Sequence, residues 1–211
     1  MRFYSIEDVQ KIAADIEKAV TIPVNIEIGY EHKVYNFSEM KAILENANRI
    51  AVQDCGCKTE YNNCDAPRDV CISLDWSADE LTEKDFQNSR ELNIDEAIEV
   101  LKRSHEAGLV HLAYTMKGED RPSIICSCCP CCCHTLGSLV RNGVHTEILT
   151  SKYIAEHNRS RCLECGKCAE RCAFQARQMS EGRLVYEQSK CFGCGLCLST
   201  CPTEAISLAL R

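Results

Sequence analysis

The chain has 211 residues, of which 45% are hydrophobic and 26% charged; that is enough apolar material for one or two domains with a buried core, and it excludes a disordered tail. The formal charge of −7 is unevenly placed, with twenty-five Asp and Glu against fifteen Lys and Arg over residues 1–150, and six against nine over 151–211. No basic run with interleaved aromatics is present, which argues against nucleic-acid binding, and no stretch approaches the roughly 20 apolar residues that span a bilayer, so direct membrane insertion is not expected.

Ser5 followed by Asp8 opens a helical pattern, with Ile6, Val9, Ile12, Ala13 and Ile16 on one face, that predicts a helix over residues 6–20. This opening segment has no apolar leader core, so the eighteen cysteines are expected to be reduced thiols in a cytoplasmic, anaerobic setting rather than disulfides. Alternation over 24–28 and 34–37 predicts a hairpin, and Ser38 caps a second helix to about Asn48. Residues 49–53 read as a buried strand ending in Asp54, Cys55, Gly56 and Cys57, and 75–93 read as polar and irregular. Asn93 with Glu96 three residues later begins a helix that Gly108 ends. Strands are expected over 109–116 and 122–125, the second running into Cys126; a short helix covers 135–142, closed by Gly143, and 151–160 forms a link. The expected class is α+β: a Cys-rich α/β N-terminal domain over 1–150 and a small C-terminal domain over 151–211.

Ten cysteines fall in the first part. Cys55, Cys57, Cys64 and Cys71 form a regularly spaced four-thiolate set, and Cys126, Cys128, Cys129, Cys131, Cys132, Cys133 and His134 add six thiols and an imidazole within nine residues. Neighbouring side chains diverge in extended backbone, so adjacent cysteines can serve different sites. Three readings compete: one or two iron–sulfur clusters shared between the two groups, a structural zinc on four of the thiolates, or a thiol/disulfide site that handles a small sulfur species. His134 reads either as a replacement ligand or as a neighbour of one at a helix start, and His105, His111 and His145 as surface or packing residues. If the two strands that lead into the cysteines are neighbours in one sheet, the groups converge on one pocket.

The second part repeats one spacing twice: Cys162, Cys165, Cys168 and Cys172, then Cys191, Cys194, Cys197 and Cys201. Three thiolates at intervals of three residues curl around one face of a 4Fe-4S cluster, while the fourth ligates the neighbouring cluster. The pairing that follows is Cys162, Cys165, Cys168 and Cys201 on one cluster, and Cys191, Cys194, Cys197 and Cys172 on the other. Gly166, Gly193 and Gly195 would let backbone N–H groups approach the sulfurs. Arg159, Arg161, Lys167, Arg171 and Arg177 offset the cluster charge or steer an acidic partner.

From Arg161 to Leu210 the sequence resembles a bacterial-type two-cluster ferredoxin domain, closing on Cys201-Pro202 followed by Thr203-Glu204-Ala205-Ile206; it departs in carrying Ala173 where the first run often has proline. Residues 1–150, through Asp54-Cys55-Gly56-Cys57 and the Cys126–His134 run, resemble the N-terminal part of poorly characterised 4Fe-4S proteins of anaerobes. The resemblance implies single-electron transfer with a redox partner protein. No dinucleotide or phosphate-binding glycine motif and no Ser/His/Asp arrangement accompanies it, so the reading is an electron carrier or electron-transfer subunit, with a disulfide- or sulfur-reducing oxidoreductase as the alternative.

Overall fold

The computed structural model describes residues 1–23, 25–28, 33–36, 38–142 and 151–211, with only the backbone for 25–28 and 33–36. It is an α+β fold in which every strand pair is antiparallel. Chain order runs α1 (Ile6–Ala13), β1 (Ile16–Thr21), β2 (Asn25–Ile28), β3 (Lys33–Asn36), α2 (Ser38–Glu45), β4 (Ile50–Asp54), α3 (Gly56–Tyr61), β5 (Asp69–Leu74), α4 (Trp76–Glu83), β6 (Arg90–Glu91), α5 (Ile94–Glu106), β7 (Val110–Met116), β8 (Ile124–Cys128) and α6 (His134–Asn142). It continues through β9 (Tyr153–His157), α7 (Lys167–Glu170), β10 (Arg177–Ser180), β11 (Arg183–Tyr186) and β12 (Ile206–Leu210).

Six strands make one sheet in the order β1-β7-β8-β5-β4-β6. The period-2 alternation of strands gives this sheet two apolar faces. On one face Ile50, Val52, Ile72, Leu74, Ala113 and Ile125 pack with Met40 and Leu44 of α2 and Ala97, Val100 and Leu101 of α5. Val110, Leu112, Tyr114 and Cys128 belong to a second cluster with Leu136 of α6, and with Phe174, Phe192 and Leu196 from the C-terminal part. Because odd and even positions of β5 and β8 face opposite ways, Cys71, Cys126 and Cys128 share the face opposite α2 and α5.

The expected helix over 6–20 is shorter. Its capping box forms as read, with Ser5 and Asp8 bonded reciprocally, but the helix ends at Ala13 and Ile16–Thr21 is a strand paired with β7. β-branched Ile16, Val20 and Thr21 favour the pleated surface, and the edge of β7 supplies the ladder that makes the choice. The second box, Asn93 with Glu96, starts α5 as expected. Residues 75–93 are more regular than expected: they hold α4, a 3-10 turn over Phe86–Asn88 and β6. Arg49 fastens this segment through Asp79 at 2.7 Å and Glu91 at 3.5 Å, contacts remote in sequence from Arg49 itself. The link expected over 151–160 contains β9, which pairs along its whole length with β12. β2 and β3 pair as the hairpin reading had it, while its turn, and Gly143 and His145, lie outside the described residues.

Candidate metal centres

The two repeated cysteine runs fold alike. Positive φ recurs at matching places: Glu164 (53°) and Gly193 (70°), Gly166 (76°) and Gly195 (77°), Gln175 (54°) and Glu204 (52°). Only a backbone wrapped the same way twice repeats left-handed residues in this pattern. Gly193 is a requirement rather than a convenience, since a Cβ there would sit 2.0 Å from the Tyr153 carbonyl oxygen. Backbone amides turn toward thiols, from Glu164 N–H to Cys162 Sγ (3.4 Å) and from Ala205 N–H to Cys201 Sγ (3.2 Å). Such N–H···S bonds lower the cost of concentrating negative charge on sulfur.

One small cavity is lined by Cys162, Cys165, Cys168 and Cys201, without Cys172. Cys194 and Cys197 in turn lie within electrostatic reach of Cys191 and Cys172. Cys201 thus lines the cavity of the first run, and Cys172 lies within reach of Cys194 and Cys197, as does Cys168 of Cys197. Burial pushes Cys197 up to about 12 against the pull of Arg177, and burial also holds Cys194 well above the ordinary thiol range. Bare thiols so placed resist ionising; a metal that takes them as thiolates supplies the missing charge.

Arg177 lies between the two sets. It is 2% exposed, its guanidinium stacks over the Tyr186 ring at 4.1 Å, and its field reaches Cys168, Cys197 and Cys201. Among the described residues Nη1 and Nη2 have no hydrogen-bond partner. Five residues after Cys172, it occupies the place that Ile206 occupies after Cys201, where the side chain is buried and apolar. An isolated buried guanidinium costs several kcal/mol, so this one fits a site that carries negative charge. The other basic residues are spent differently: Arg171 donates to the carbonyls of His105 and Glu106, Arg161 pairs with Glu204 at 3.5 Å, and Arg159 and Lys167 are exposed.

The N-terminal cysteines divide differently from their sequence grouping. The strands that deliver Cys55 and Cys126 are not neighbours, since β5 lies between β4 and β8, yet β5 itself contributes Cys71 beside Cys126, one residue from the Ile72–Ile125 pair. Cys57 is on α3 and Cys133 precedes α6. Contacts run in a closed ring from Cys55 to Cys57, Cys133, Cys128, Cys126, Cys71 and back to Cys55. These six thiols and that of Cys129, with Lys58, Tyr4 and His134, line a cavity of about 500 Å³. Cys64 leaves the four-thiolate set expected of it and joins Cys129, Cys131 and Cys132 instead.

Lys58 is 2% exposed and donates to the Ser127 carbonyl at 2.8 Å. Burial acts against its charge, but the surrounding sulfurs of Cys55, Cys128, Cys71 and Cys129 outweigh burial and hold the ammonium above its usual range. Hydrogen bonds from Cys57 and Cys71, helped by Lys58, favour Cys55 as the thiolate. His134 places Nδ1 3.3 Å from Cys57 Sγ, and burial holds its pKa below the ordinary histidine value. Sequence reading misses Lys58 as a site residue, since a lysine beside Cys57 reads as solvated until the chain folds around it; Arg177 is among five basic residues that read as offsetting cluster charge, and only the fold sets it apart as the buried one. His105 and His111 are buried packing residues bonded to Ser199 (2.9 Å) and Ser127 (3.0 Å).

A repeated thiolate wrap, amides aimed at sulfur and a buried counter-charge define an iron–sulfur electron-transfer protein. In agreement, residues 155–208 match the family model of a 4Fe-4S dicluster domain, so the C-terminal part is a ferredoxin-like iron–sulfur domain. No curated protein matches the chain. Among the described residues no helix is long and apolar enough to cross a membrane.

Proposed function

We propose that the protein carries single electrons between a partner docked at its C-terminal end and a cluster held by the N-terminal ring of six cysteines. One observation carries the reading: a single hydrophobic cluster contains Cys172 and Cys194 from the C-terminal part together with Cys126, Cys128 and Cys133 from the ring. Phe174 and Phe192, stacked 4.3 Å apart, lie in that same cluster. The apolar packing keeps water from the interval and favours electron passage over cluster hydrolysis. In this reading Cys162, Cys165, Cys168 and Cys201 hold one 4Fe-4S cluster, Cys191, Cys194, Cys197 and Cys172 a second, and four of the six ring thiols a third. The division at residue 150 then separates a terminal cluster module from a two-cluster ferredoxin module that share one core.

Cys165 is the exposed cysteine of the first set, and Leu163 beside it is 66% exposed. That edge is where the redox partner meets the wire. Iron and acid-labile sulfide, measured on anaerobically purified full-length protein, are expected at about twelve each per chain, at four irons and four sulfides for each of three clusters. Cys57→Ser, Cys126→Ser, Cys128→Ser and Cys133→Ser together leave two ring thiols, too few for a cubane, and should lower both to about eight. A wild-type count of eight that this variant leaves unchanged would refute the third cluster.

A second reading rests on the ring having more thiols than a cubane uses. Two uncommitted cysteines in a cavity of about 500 Å³ could reduce a small disulfide, accepting two electrons one at a time from the clusters and two protons from solvent to release two thiols. Disulfide-dependent oxidation of the pre-reduced protein, lost on substituting ring cysteines that leave the iron count unchanged, would favour it.

A further inference from the structure

We propose that Cys64, Cys129, Cys131 and Cys132 bind a single tetrahedral zinc ion, a redox-silent site distinct from every iron–sulfur cluster of the chain. All four ligand sulfurs lie within 4.8 Å of one another, with Cys64 Sγ 3.7 Å from Cys129 Sγ and 3.9 Å from Cys132 Sγ. A Zn–S bond of about 2.3 Å in tetrahedral geometry puts neighbouring thiolates about 3.8 Å apart. A cubane interposes four irons and their sulfides, so its thiolates stand much further apart. The structure contains its own control for that difference. Among the described residues, neither C-terminal quartet nor the ring of six brings its sulfurs within 4.8 Å of one another as this tetrad does.

The surroundings suit a closed structural ion. Cys64 lies on the loop after α3, and the other three lie on the turn between β8 and α6, so one ion ties together segments more than sixty residues apart in sequence. Cys129 and Cys132 are buried and Cys64 and Cys131 partly so, with backbone N–H groups of Ala66 and Cys132 turned to Cys64 and Cys129. Asn63 braces the same turn by donating to the Cys131 carbonyl at 2.8 Å. Four thiolates on a divalent ion leave net negative charge, and the ammonium of Lys58 lies within electrostatic reach of Cys129 to offset it. All four positions are filled by protein, leaving none for water or substrate, as structural rather than catalytic zinc requires.

Metal content of the anaerobically purified full-length protein tests this, with zinc read separately from iron. One zinc per chain is expected, lost in Cys64→Ser with Cys131→Ser while iron and sulfide stay at the wild-type level. A fall of about four irons in that variant, or one iron per chain in place of zinc, would overturn the proposal. Should the variant not fold, wild-type protein exchanged with cobalt(II) gives the second readout. Tetrahedral tetrathiolate absorption bands in the visible and near-ultraviolet are expected, and their absence overturns the assignment. The count of iron decides the third cluster and the count of zinc decides this site, so either can fail alone.

Discussion

Arg177→Ile replaces the buried guanidinium by the residue that its own repeat-mate, Ile206, already carries, so the pocket accepts the new shape while the charge disappears. A thiolate-ligated cluster is anionic and becomes more so on reduction, so a fixed cation beside it stabilises the reduced form and raises the potential. For a unit charge on the order of 8 Å away at an effective dielectric of about 20, the interaction is about 2 kcal/mol. In a one-electron couple that corresponds to roughly 85 mV, since about 1.4 kcal/mol is a tenfold change or about 59 mV. The C-terminal clusters of Arg177→Ile should therefore be harder to reduce by several tens of millivolts, while Arg177→Lys should keep most of the wild-type value. An anaerobic redox titration followed by electron paramagnetic resonance reads both. A shift below about 20 mV, or an upward one, would refute the argument that this guanidinium faces the cluster charge.

Gly193→Ala places a Cβ against the Tyr153 carbonyl at a left-handed φ of 70°, and should cost about 2–4 kcal/mol and deplete the second C-terminal cluster; iron content and the thermal midpoint check it. Lys58→Met removes the ammonium that offsets the ring thiolates, so the N-terminal cluster should load poorly, with iron falling from about twelve toward eight. Burial depresses His105 to about 4 and His111 to about 3, below the roughly 6.5 of the unfolded chain, so unfolding takes up protons as pH falls. Their contribution is fully present above about pH 6.5 and lost toward pH 4, at about 2 kcal/mol each by pH 5. Denaturant midpoints should fall accordingly, and His111→Gln should flatten the slope; an unchanged slope would mean that the ring is not buried neutral.

Much of the C-terminal part is legible without a structure, because its ligand spacing is local. Cys162 to Cys172 and Cys191 to Cys201 each wrap within eleven residues, and chain geometry alone limits which sulfurs can face one center. Capping boxes at Ser5 and Asn93 are local for the same reason and start their helices where read. The end of α1 is not local: Ile16–Thr21 is a strand because β7 offers it a ladder, and nothing near Ala13 announces that. The N-terminal cysteines show the limit most sharply. Sequence grouped Cys64 with Cys55, Cys57 and Cys71, yet the fold gives Cys64 to Cys129, Cys131 and Cys132 and closes the ring with Cys126, Cys128 and Cys133. By itself the sequence determined that the C-terminal part is a 4Fe-4S ferredoxin-like domain, because that spacing is local. The tertiary structure alone decided which distant sulfurs lie together and which cations are buried among them, since those depend on strand order and register across β4, β5 and β8 rather than on spacing along the chain.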